Sequence, residues 1–214
     1  MSEEYLNSKR IRALIFDLDG TLLDSFSVHY EAYKNMFEHL GVAFDESTFF
    51  QSYSPNWYLT YEVMGLPERA WKEADDYWVN EAKKHDPPLL PEALETLSTL
   101  KKRFVLGLVT SGSKNRVMAD LKRTELNTFF EIIITGDDVF NPKPHPEGLE
   151  MALNTLQIKP DEAVYIGDAL ADFQMAKAAG VSFLGVISRF NSLNREDTRY
   201  SVHTLPDIAA LFEE

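Results

Sequence analysis

Four short groups of polar residues each follow an apolar run, and the first is a pair of acids. Asp17 and Asp19 lie two residues apart, directly before Gly20. Paired carboxylates suit a hard cation such as Mg²⁺, which takes one or two carboxylates, waters and phosphate oxygens as ligands. They also allow covalent catalysis, in which one carboxylate attacks phosphorus and the other handles the leaving-group proton. A lone Asp-x-Asp-Gly is more often a capped turn, so this interpretation needs support from the rest of the chain.

The second and third groups supply hydroxyls and a lysine. Thr110 and Ser111 precede Gly112, and hydroxyls and N–H groups that lead into a helix form a phosphate cradle. Ser and Thr are equally ordinary helix caps. Lys143 lies in Asn141–Pro146, where three prolines stiffen the loop. They fix where the ammonium points, and they make the Lys143–Pro144 bond a candidate cis peptide.

The fourth group is a second pair of acids, Asp168 and Asp172, which follows Gly167. The spacing predicts Asp168 at a strand tip and Asp172 in the first turn of the next helix, where a negative charge is favourable in any case. Independent accidents would not place an acid pair, a hydroxyl pair, a lysine and a second acid pair after four successive apolar runs. These strand-end groups together predict one phosphate-handling site.

The apolar runs themselves are typical of buried strands that alternate with helices. The predicted strands are Ile11–Phe16, Phe104–Thr110, Glu131–Thr135, Ala163–Ile166, Ser182–Ile187 and a short one at Val202–Thr204. The predicted helices are Glu92–Lys102, Asn115–Thr124, Pro146–Leu156, Phe173–Ala179 and Pro206–Phe212. Alternation implies parallel pairing, because each crossover needs an element long enough to return. Near-continuous apolar runs fit a sheet that is covered on both faces. We therefore predict an α/β fold with a three-layer, Rossmann-like parallel sheet.

Residues 24–88 differ in character, because aromatic and acidic residues recur there at helical spacing without a strand-like run. We predict an inserted all-helical cap at 24–88 and a catalytic core formed by 1–23 and 89–214. An insertion at the carboxyl end of a strand lies beside the ligand crevice in this fold class, so the cap is expected to act as a lid. Six cap aromatics could line a pocket or fill the cap's own core, and the core is favoured. They are Phe49, Phe50, Tyr53, Trp57, Tyr58 and Tyr61.

Composition excludes several classes of function. The 214 residues carry a net charge of −13, which argues against a nucleic-acid surface, because such a surface needs clustered Lys and Arg. The absence of cysteine excludes disulfides and thiolate chemistry. No apolar stretch approaches the roughly 18–20 residues of a membrane span, and Met1–Arg10 lacks the apolar core of a signal peptide. We expect a cytoplasmic monomer or homodimer that acts on a small molecule.

The strand-end groups resemble the four motifs of the haloacid dehalogenase superfamily in order and spacing. The matching segments are Asp17–Ser25 (DLDGTLLDS), Thr110–Gly112, Lys143–Pro144 and Gly167–Asp172. The resemblance runs from about Ile11 to Ile187 and includes the position of a helical cap. It is strongest to the phosphoglycolate phosphatase-like and β-phosphoglucomutase-like branches.

This resemblance implies roles for the acids and the lysine. Asp17 would be the nucleophile that becomes an aspartyl phosphate, and Asp19 the general acid and base. Lys143 would neutralise charge on Asp17 and on the phosphate. Asp168 would be a direct Mg²⁺ ligand, together with Asp17 and the backbone carbonyl of Asp19. Asp172 would lie in the outer shell, bonded to water or to Lys143.

The resemblance also implies a phosphate cradle formed by Thr110 and the N–H of Ser111, with Gly20 beside it. Ala169 departs from the family pattern, since relatives usually carry Ser or Thr there. The change removes a hydroxyl near the metal but no ligand, so we expect activity to survive.

Three functions remain open at this point. A Mg²⁺-dependent phosphatase for a small phosphorylated metabolite is favoured. Asp19 argues against dehalogenation, and Thr21 is typical of phosphatases. A sugar phosphomutase is the alternative, because Asp24–Tyr33 resembles that branch and includes His29 at its hinge position. His29 is equally well explained as a packed helix residue. A non-catalytic binding protein on the same fold is the third possibility, and the intact acids and lysine argue against it.

Overall fold

The computed structural model describes residues 10–52, 57–188, 193 and 200–212. Its contacts divide the chain into two units, with Ser25–Pro87 as one unit and the segments on either side of it as the other. Residues 1–9, which belong to the polar N-terminal segment, lie outside the described residues, as do Tyr53 and the side chain of Trp57. Within the described ranges, no helix is long and apolar enough to cross a membrane.

A six-stranded sheet organises the larger unit. Its strands are β1 (Ala13–Phe16), β2 (Val105–Val109), β3 (Ile132–Ile134), β4 (Ala163–Gly167), β5 (Ser182–Val186) and β6 (Ser201–Val202). They lie in the order β3-β2-β1-β4-β5-β6, and every neighbouring pair is parallel. In the register of the central strands, Ala13 lies opposite Val105 on one side and Ala163 on the other. The predicted parallel α/β sheet is confirmed.

Helices in the described residues belong to both units. The smaller unit contains α1 (Ser25–His39), α2 (Glu46–Ser52), α3 (Trp57–Val63) and α4 (Trp71–Ala82). The larger unit contains α5 (Ala93–Leu100), α6 (Lys114–Arg123), α7 (Glu147–Leu156), α8 (Leu170–Ala178) and α9 (Leu205–Leu211).

The sheet separates two apolar cores, because successive side chains of a strand point to opposite faces. Leu14 and Phe16 of β1 pack with residues of α5, α6 and α9. Ala13 and Ile15 of the same strand pack with residues of α7 and α8. Helices on both faces of a parallel sheet make the predicted three-layer arrangement.

The strand order also fixes where a ligand can bind. From β1 the chain leads to β2 and β3 on one side and later to β4, β5 and β6 on the other. A crevice opens outside the carboxyl ends of the strands at such a switch point. Asp17 directly follows β1, and Asp168 directly follows the neighbouring β4. The first and fourth strand-end groups therefore meet at this crevice.

The helix after β4 begins earlier than the sequence predicts. Helix α8 starts at Leu170, whereas the apolar spacing favoured a start at Phe173. Asp172 accounts for the difference, because its Oδ2 accepts a hydrogen bond from the Ala169 N–H at 3.0 Å. This bond satisfies one of the N–H groups that have no partner within the helix, so the first turn forms before the apolar face begins.

The smaller, helical unit has a core of its own. Phe49 and Tyr61 are completely buried in an aromatic cluster with residues of α1 and α4, which is the interpretation that the sequence favoured for the cap aromatics. Tyr58 is partly exposed, and its ring stacks on Trp71. The His29 ring lies 5.2 Å from the Trp78 ring, so His29 packs between helices within this unit.

Candidate active site

The Lys143 ammonium lies at the centre of the site. Its Nζ is 2.6 Å from Oδ1 of Asp17, 2.7 Å from Oδ1 of Asp172 and 2.7 Å from the Tyr165 hydroxyl. The Lys143 side chain is only 9% exposed, and the Lys143–Pro144 bond is cis. Burial disfavours the charged amine, but Asp17 and Asp172 outweigh that cost and raise the pKa of Lys143. The lysine therefore stays protonated and joins the first and fourth strand-end groups.

Tyr165, in the middle of β4, orients this ammonium. Its hydroxyl donates to the carbonyl oxygen of Val109 at 2.8 Å, so a lone pair of the same oxygen faces the lysine. The Tyr165 side chain is completely buried. Its hydroxyl links β2 and β4 across the ends of the sheet and fixes one of the three directions in which Lys143 donates.

Three carboxylates gather beside the lysine. Asp17, Asp168 and Asp172 each place an oxygen within 4.8 Å of the others, and we call this set the carboxylate cluster. Thr21 Oγ1 donates to Oδ1 of Asp168 at 3.3 Å. Asp172 is 1% exposed and Asp17 is 6% exposed, whereas Asp168 is partly buried.

The electrostatics of the cluster show an excess of negative charge. Burial, opposed by Lys143 and reinforced by Asp172 and Asp19, raises the pKa of Asp17 from 3.8 to about 7. Burial, then Asp172 and Asp17, raises the pKa of Asp168 well above its ordinary value. Two buried carboxylates, Asp17 and Asp172, and the partly buried Asp168 face one lysine. Because oxygen donors of this kind are what Mg²⁺ prefers, the cluster fits a divalent cation in both chemistry and charge.

The hydroxyl pair follows β2 beside the lysine. Thr110 is buried, and its Oγ1 accepts a hydrogen bond from the Gly112 N–H at 3.2 Å. Ser111 is exposed. Together with Lys143, both residues line a narrow crevice between the loops that follow β2 and β3. The second and third strand-end groups thus meet at the same edge of the sheet as the acids.

Asp19 forms an ion pair with an arginine of α6. Its two carboxylate oxygens bind the two terminal nitrogens of Arg116, with Nη1 at 3.0 Å from Oδ1. The Asp19 side chain is 29% exposed and that of Arg116 is 41% exposed. Asp19 is therefore the carboxylate that a solvent-borne group can reach, while Asp17 is held inside by the lysine.

Gly20 lies against the cluster. It adopts φ +80°, and a Cβ at this position would collide with the Asp168 carboxylate. Both the left-handed backbone and the close approach require a residue without a side chain.

Comparison with known proteins agrees with this geometry. Residues 14–186 match the family described as haloacid dehalogenase-like hydrolase, a span that holds all four strand-end groups. The chain belongs to this family.

Two curated relatives of this hydrolase come from bacteria. Pyrophosphatase PpaX of Bacillus pumilus is 34% identical over 186 residues, which cover 85% of each chain. A protein of Thermotoga maritima named phosphorylated carbohydrates phosphatase is 30% identical over 202 residues, covering 85% of this chain and 88% of the relative. The solved structure of a putative β-phosphoglucomutase from Thermotoga maritima has a TM-score of 0.76 and 26% identity, and covers 95% of this chain and 99% of that one.

Two residues of the hydrolase site were missed by the sequence reasoning. Tyr165 is a polar aromatic within the aliphatic run of β4, and its hydroxyl needed a partner once buried. That requirement was a usable signal. Arg116 gave no comparable signal, because an arginine in the first turns of a charged helix is ordinarily a solvated residue.

Proposed function

We propose that this hydrolase is a Mg²⁺-dependent phosphatase that acts on a small phosphorylated metabolite through an aspartyl phosphate on Asp17. The observation that carries the proposal is the Lys143 ammonium, which lies 2.6 Å from Asp17 and 2.7 Å from Asp172 at the carboxyl ends of β1 and β4. The names of the relatives, a pyrophosphatase and a phosphorylated carbohydrates phosphatase, support phosphoryl transfer.

In the first step, a carboxylate oxygen of Asp17 attacks phosphorus while the bond to the leaving oxygen breaks. The bond electrons go to that oxygen, which receives a proton from Asp19. Lys143 offsets the repulsion between two anions, which is about 1 kcal/mol at 4 Å in bulk water and larger where water is excluded. Thr110 and the N–H of Ser111 hold the equatorial oxygens of the phosphoryl group.

In the second step, Asp19 accepts a proton from a water molecule as that water attacks the aspartyl phosphate. The phosphorus–oxygen bond to Asp17 breaks, inorganic phosphate leaves, and both carboxylates return to their starting states. Asp19 can serve both steps because it is the partly exposed acid of the site. Phosphoryl transfer depends mainly on such positioning and charge neutralisation.

A magnesium ion would be held by Asp17, Asp168 and the backbone carbonyl of Asp19, with Asp172 in its outer shell. When bound, it supplies positive charge to the transferring phosphoryl group. The fit rests on the carboxylate cluster, whose oxygens lie within 4.8 Å of each other.

A sugar phosphomutase is the second candidate. It is favoured by the Asp24–Tyr33 segment and by the likeness to the putative β-phosphoglucomutase of Thermotoga maritima. A mutase would use the same first step, but a substrate hydroxyl would replace water in the second. It would therefore isomerise sugar phosphates without net release of phosphate.

The decisive experiment measures free phosphate released from a panel of phosphorylated metabolites, with Mg²⁺ and with EDTA. A phosphatase releases phosphate from at least one compound only when Mg²⁺ is present. The same reactions are analysed by chromatography for isomerised sugar phosphates. Isomerisation without release would support the mutase, and neither release nor isomerisation would favour a binding protein. Cytoplasmic location, oligomeric state and the role of the helical cap in choosing the substrate stay predictions from the sequence.

A further inference from the structure

Arg116 reaches from α6 across the loop after β2 to Asp19. Both terminal nitrogens of the guanidinium bind the Asp19 carboxylate. On the way, the guanidinium passes directly over Gly112, where a Cβ would lie 2.2 Å from Nη2. The arginine therefore lies between the Thr110–Ser111 loop and the acid that we assign to the leaving group.

A second carboxylate, that of Asp120, also holds the guanidinium in this position. Asp120, one helical turn further along α6, accepts from Nη1 of Arg116 at 3.3 Å, and its side chain is only 8% exposed. Arg123 binds the other oxygen of Asp120 at 3.0 Å. The planar fork of an arginine fixed in this way is pre-organised for bidentate binding of an oxyanion.

Arg116 keeps two donors that its contacts with Asp19 and Asp120 do not use. A guanidinium has five N–H groups, and the contacts to Asp19 and Asp120 use three of them. Among the described residues, Nε–H and one N–H of Nη2 are left for a ligand. The side chain is 41% exposed, so the guanidinium is open to a ligand from solvent.

The distribution of charge in the site also favours Arg116 as a ligand-binding residue. Lys143 is paired with Asp17 and Asp172, whereas Arg116 is paired with Asp19 and Asp120. Lys143 is fully engaged inside the site by Asp17, Asp172 and Tyr165. Arg116 is thus the cation placed on the leaving-group side.

We propose that Arg116 determines specificity by binding a negatively charged group on the leaving side of the scissile oxygen, so that a substrate with a second phosphoryl group there is preferred to one with a neutral alcohol. This inference rests on the proposed phosphatase function. With such a substrate, the bond between the bridging oxygen and the attacked phosphorus breaks, and its electrons go to the bridging oxygen. Asp19 supplies the proton, and Arg116 hydrogen-bonds the departing phosphate.

Distance supports this assignment. The bridging oxygen must lie within one hydrogen bond of Asp19 to receive its proton, and Arg116 lies one hydrogen bond beyond Asp19. Two hydrogen bonds of about 3 Å each separate the guanidinium from the bridging oxygen, and a phosphoryl group attached to that oxygen fills part of the gap. A hydroxyalkyl group offers no charge to the arginine.

Binding tests the proposal without turnover. Methylenediphosphonate and methylphosphonate are titrated calorimetrically into wild type, Arg116→Gln, Arg116→Lys and Lys122→Gln at one fixed free Mg²⁺ concentration. Wild type should bind the diphosphonate more tightly. Arg116→Gln should weaken that binding by about tenfold or more, the range for a charged hydrogen bond, with little change for methylphosphonate. Arg116→Lys should retain part of the preference, because it keeps the charge but loses the fork.

Lys122→Gln is the matched control, since it removes one positive charge from an exposed position six residues further along the same helix. It should leave both affinities unchanged. In turnover, the ratio of kcat/KM for pyrophosphate to that for glycerol 1-phosphate should fall about tenfold in Arg116→Gln alone. Equal binding of both phosphonates by wild type, or an unchanged preference in Arg116→Gln, would overturn the proposal. If wild type hydrolyses neither compound but binds the diphosphonate through Arg116, the binding role of Arg116 stands, and the panel of phosphorylated metabolites decides the phosphatase function separately.

Discussion

Gly20 and Asp168 approach so closely that only a hydrogen atom fits between them. A Cβ added to Gly20 would lie 2.3 Å from Oδ2 of Asp168, well inside any van der Waals contact. The two residues come from different strand-end groups, 148 positions apart in the chain, and meet because β1 and β4 are neighbours in the sheet. The glycine of the first motif therefore sets the position of a proposed metal ligand in the fourth.

We expect Gly20→Ala to abolish most of the phosphatase activity by displacing Asp168. Gly180→Ala is the matched control, because Gly180 also has a positive φ, +69°, but its nearest contact for a Cβ is 3.9 Å away. Both variants should lose about 1–2 kcal/mol of stability from the left-handed backbone. Only Gly20→Ala should also lose Mg²⁺ binding, measured by calorimetry. Normal Mg²⁺ binding by Gly20→Ala would contradict the argument.

Replacement of the nucleophile should separate chemistry from folding. Asp17→Asn keeps the shape of the side chain but removes the attacking oxygen anion, so turnover should fall at least about a thousandfold. Far-UV circular dichroism should be unchanged. Asp76→Asn, a change of an exposed acid in the helical unit, should retain full activity. Substantial activity in Asp17→Asn, free of contaminating phosphatase, would exclude Asp17 as the nucleophile.

The raised pKa of Asp17 makes the stability of the metal-free protein depend on pH. Burial holds the proton on Asp17 up to about pH 7, whereas the unfolded carboxyl loses it near 3.8. Between these values the folded state binds more protons than the unfolded state, so the free energy of unfolding decreases as pH rises. The contribution of this carboxyl is complete below about pH 4 and is lost as pH rises through about 7.

Thermal unfolding in EDTA should therefore show a Tm that falls between about pH 5 and pH 8, with a smaller fall in Asp17→Asn. Mg²⁺ binds the charged carboxylates, so the increase in Tm that it causes should be larger at pH 8 than at pH 5. Asp168→Asn should reduce this increase, and Asp161→Asn, an exposed acid paired with Arg10, should not. A Tm that depends on pH equally in wild type and Asp17→Asn would contradict the assignment of the shift to Asp17.

The sheet could be predicted from the sequence because the signal is local. Each strand is a short apolar run such as Ala163–Ile166, and alternation with helices requires parallel pairing. The meeting of the strand-end groups then followed from topology, since Asp17 and Asp168 each directly follow a central strand. The predicted start of α8 was wrong. The observed start depends on one hydrogen bond, from the Ala169 N–H to Asp172, rather than on apolar spacing.

Contacts between side chains of distant segments could not be predicted in this way. The sequence pattern of helix α6 does not indicate that Arg116 binds Asp19, which lies 97 positions earlier in the chain. The same holds for the Tyr165 hydroxyl, which meets Lys143 and the Val109 carbonyl. Such contacts depend on the register of neighbouring strands and on the path of the proline-rich loop, and both are determined only when the whole sheet has formed.

Tyr165→Phe tests whether the third partner of Lys143 contributes to catalysis. Loss of the hydroxyl leaves the ammonium with Asp17 and Asp172 and leaves the buried Val109 carbonyl without this donor. We expect a loss of about 1–3 kcal/mol in stability. Because a less constrained ammonium is placed less well in the transition state, we also expect a decrease of roughly tenfold in kcat with little change in KM.

Tyr61→Phe provides the comparison, because Tyr61 is equally buried and its hydroxyl binds Asp75 in the helical unit. It should lose stability to a similar extent, measured by denaturant unfolding, and keep its kcat. If the two variants lost the same fraction of kcat, the effect at Tyr165 would be one of general stability. A selective loss of kcat in Tyr165→Phe would show that the hydroxyl acts through Lys143, since that ammonium is the group through which Tyr165 contacts the nucleophile.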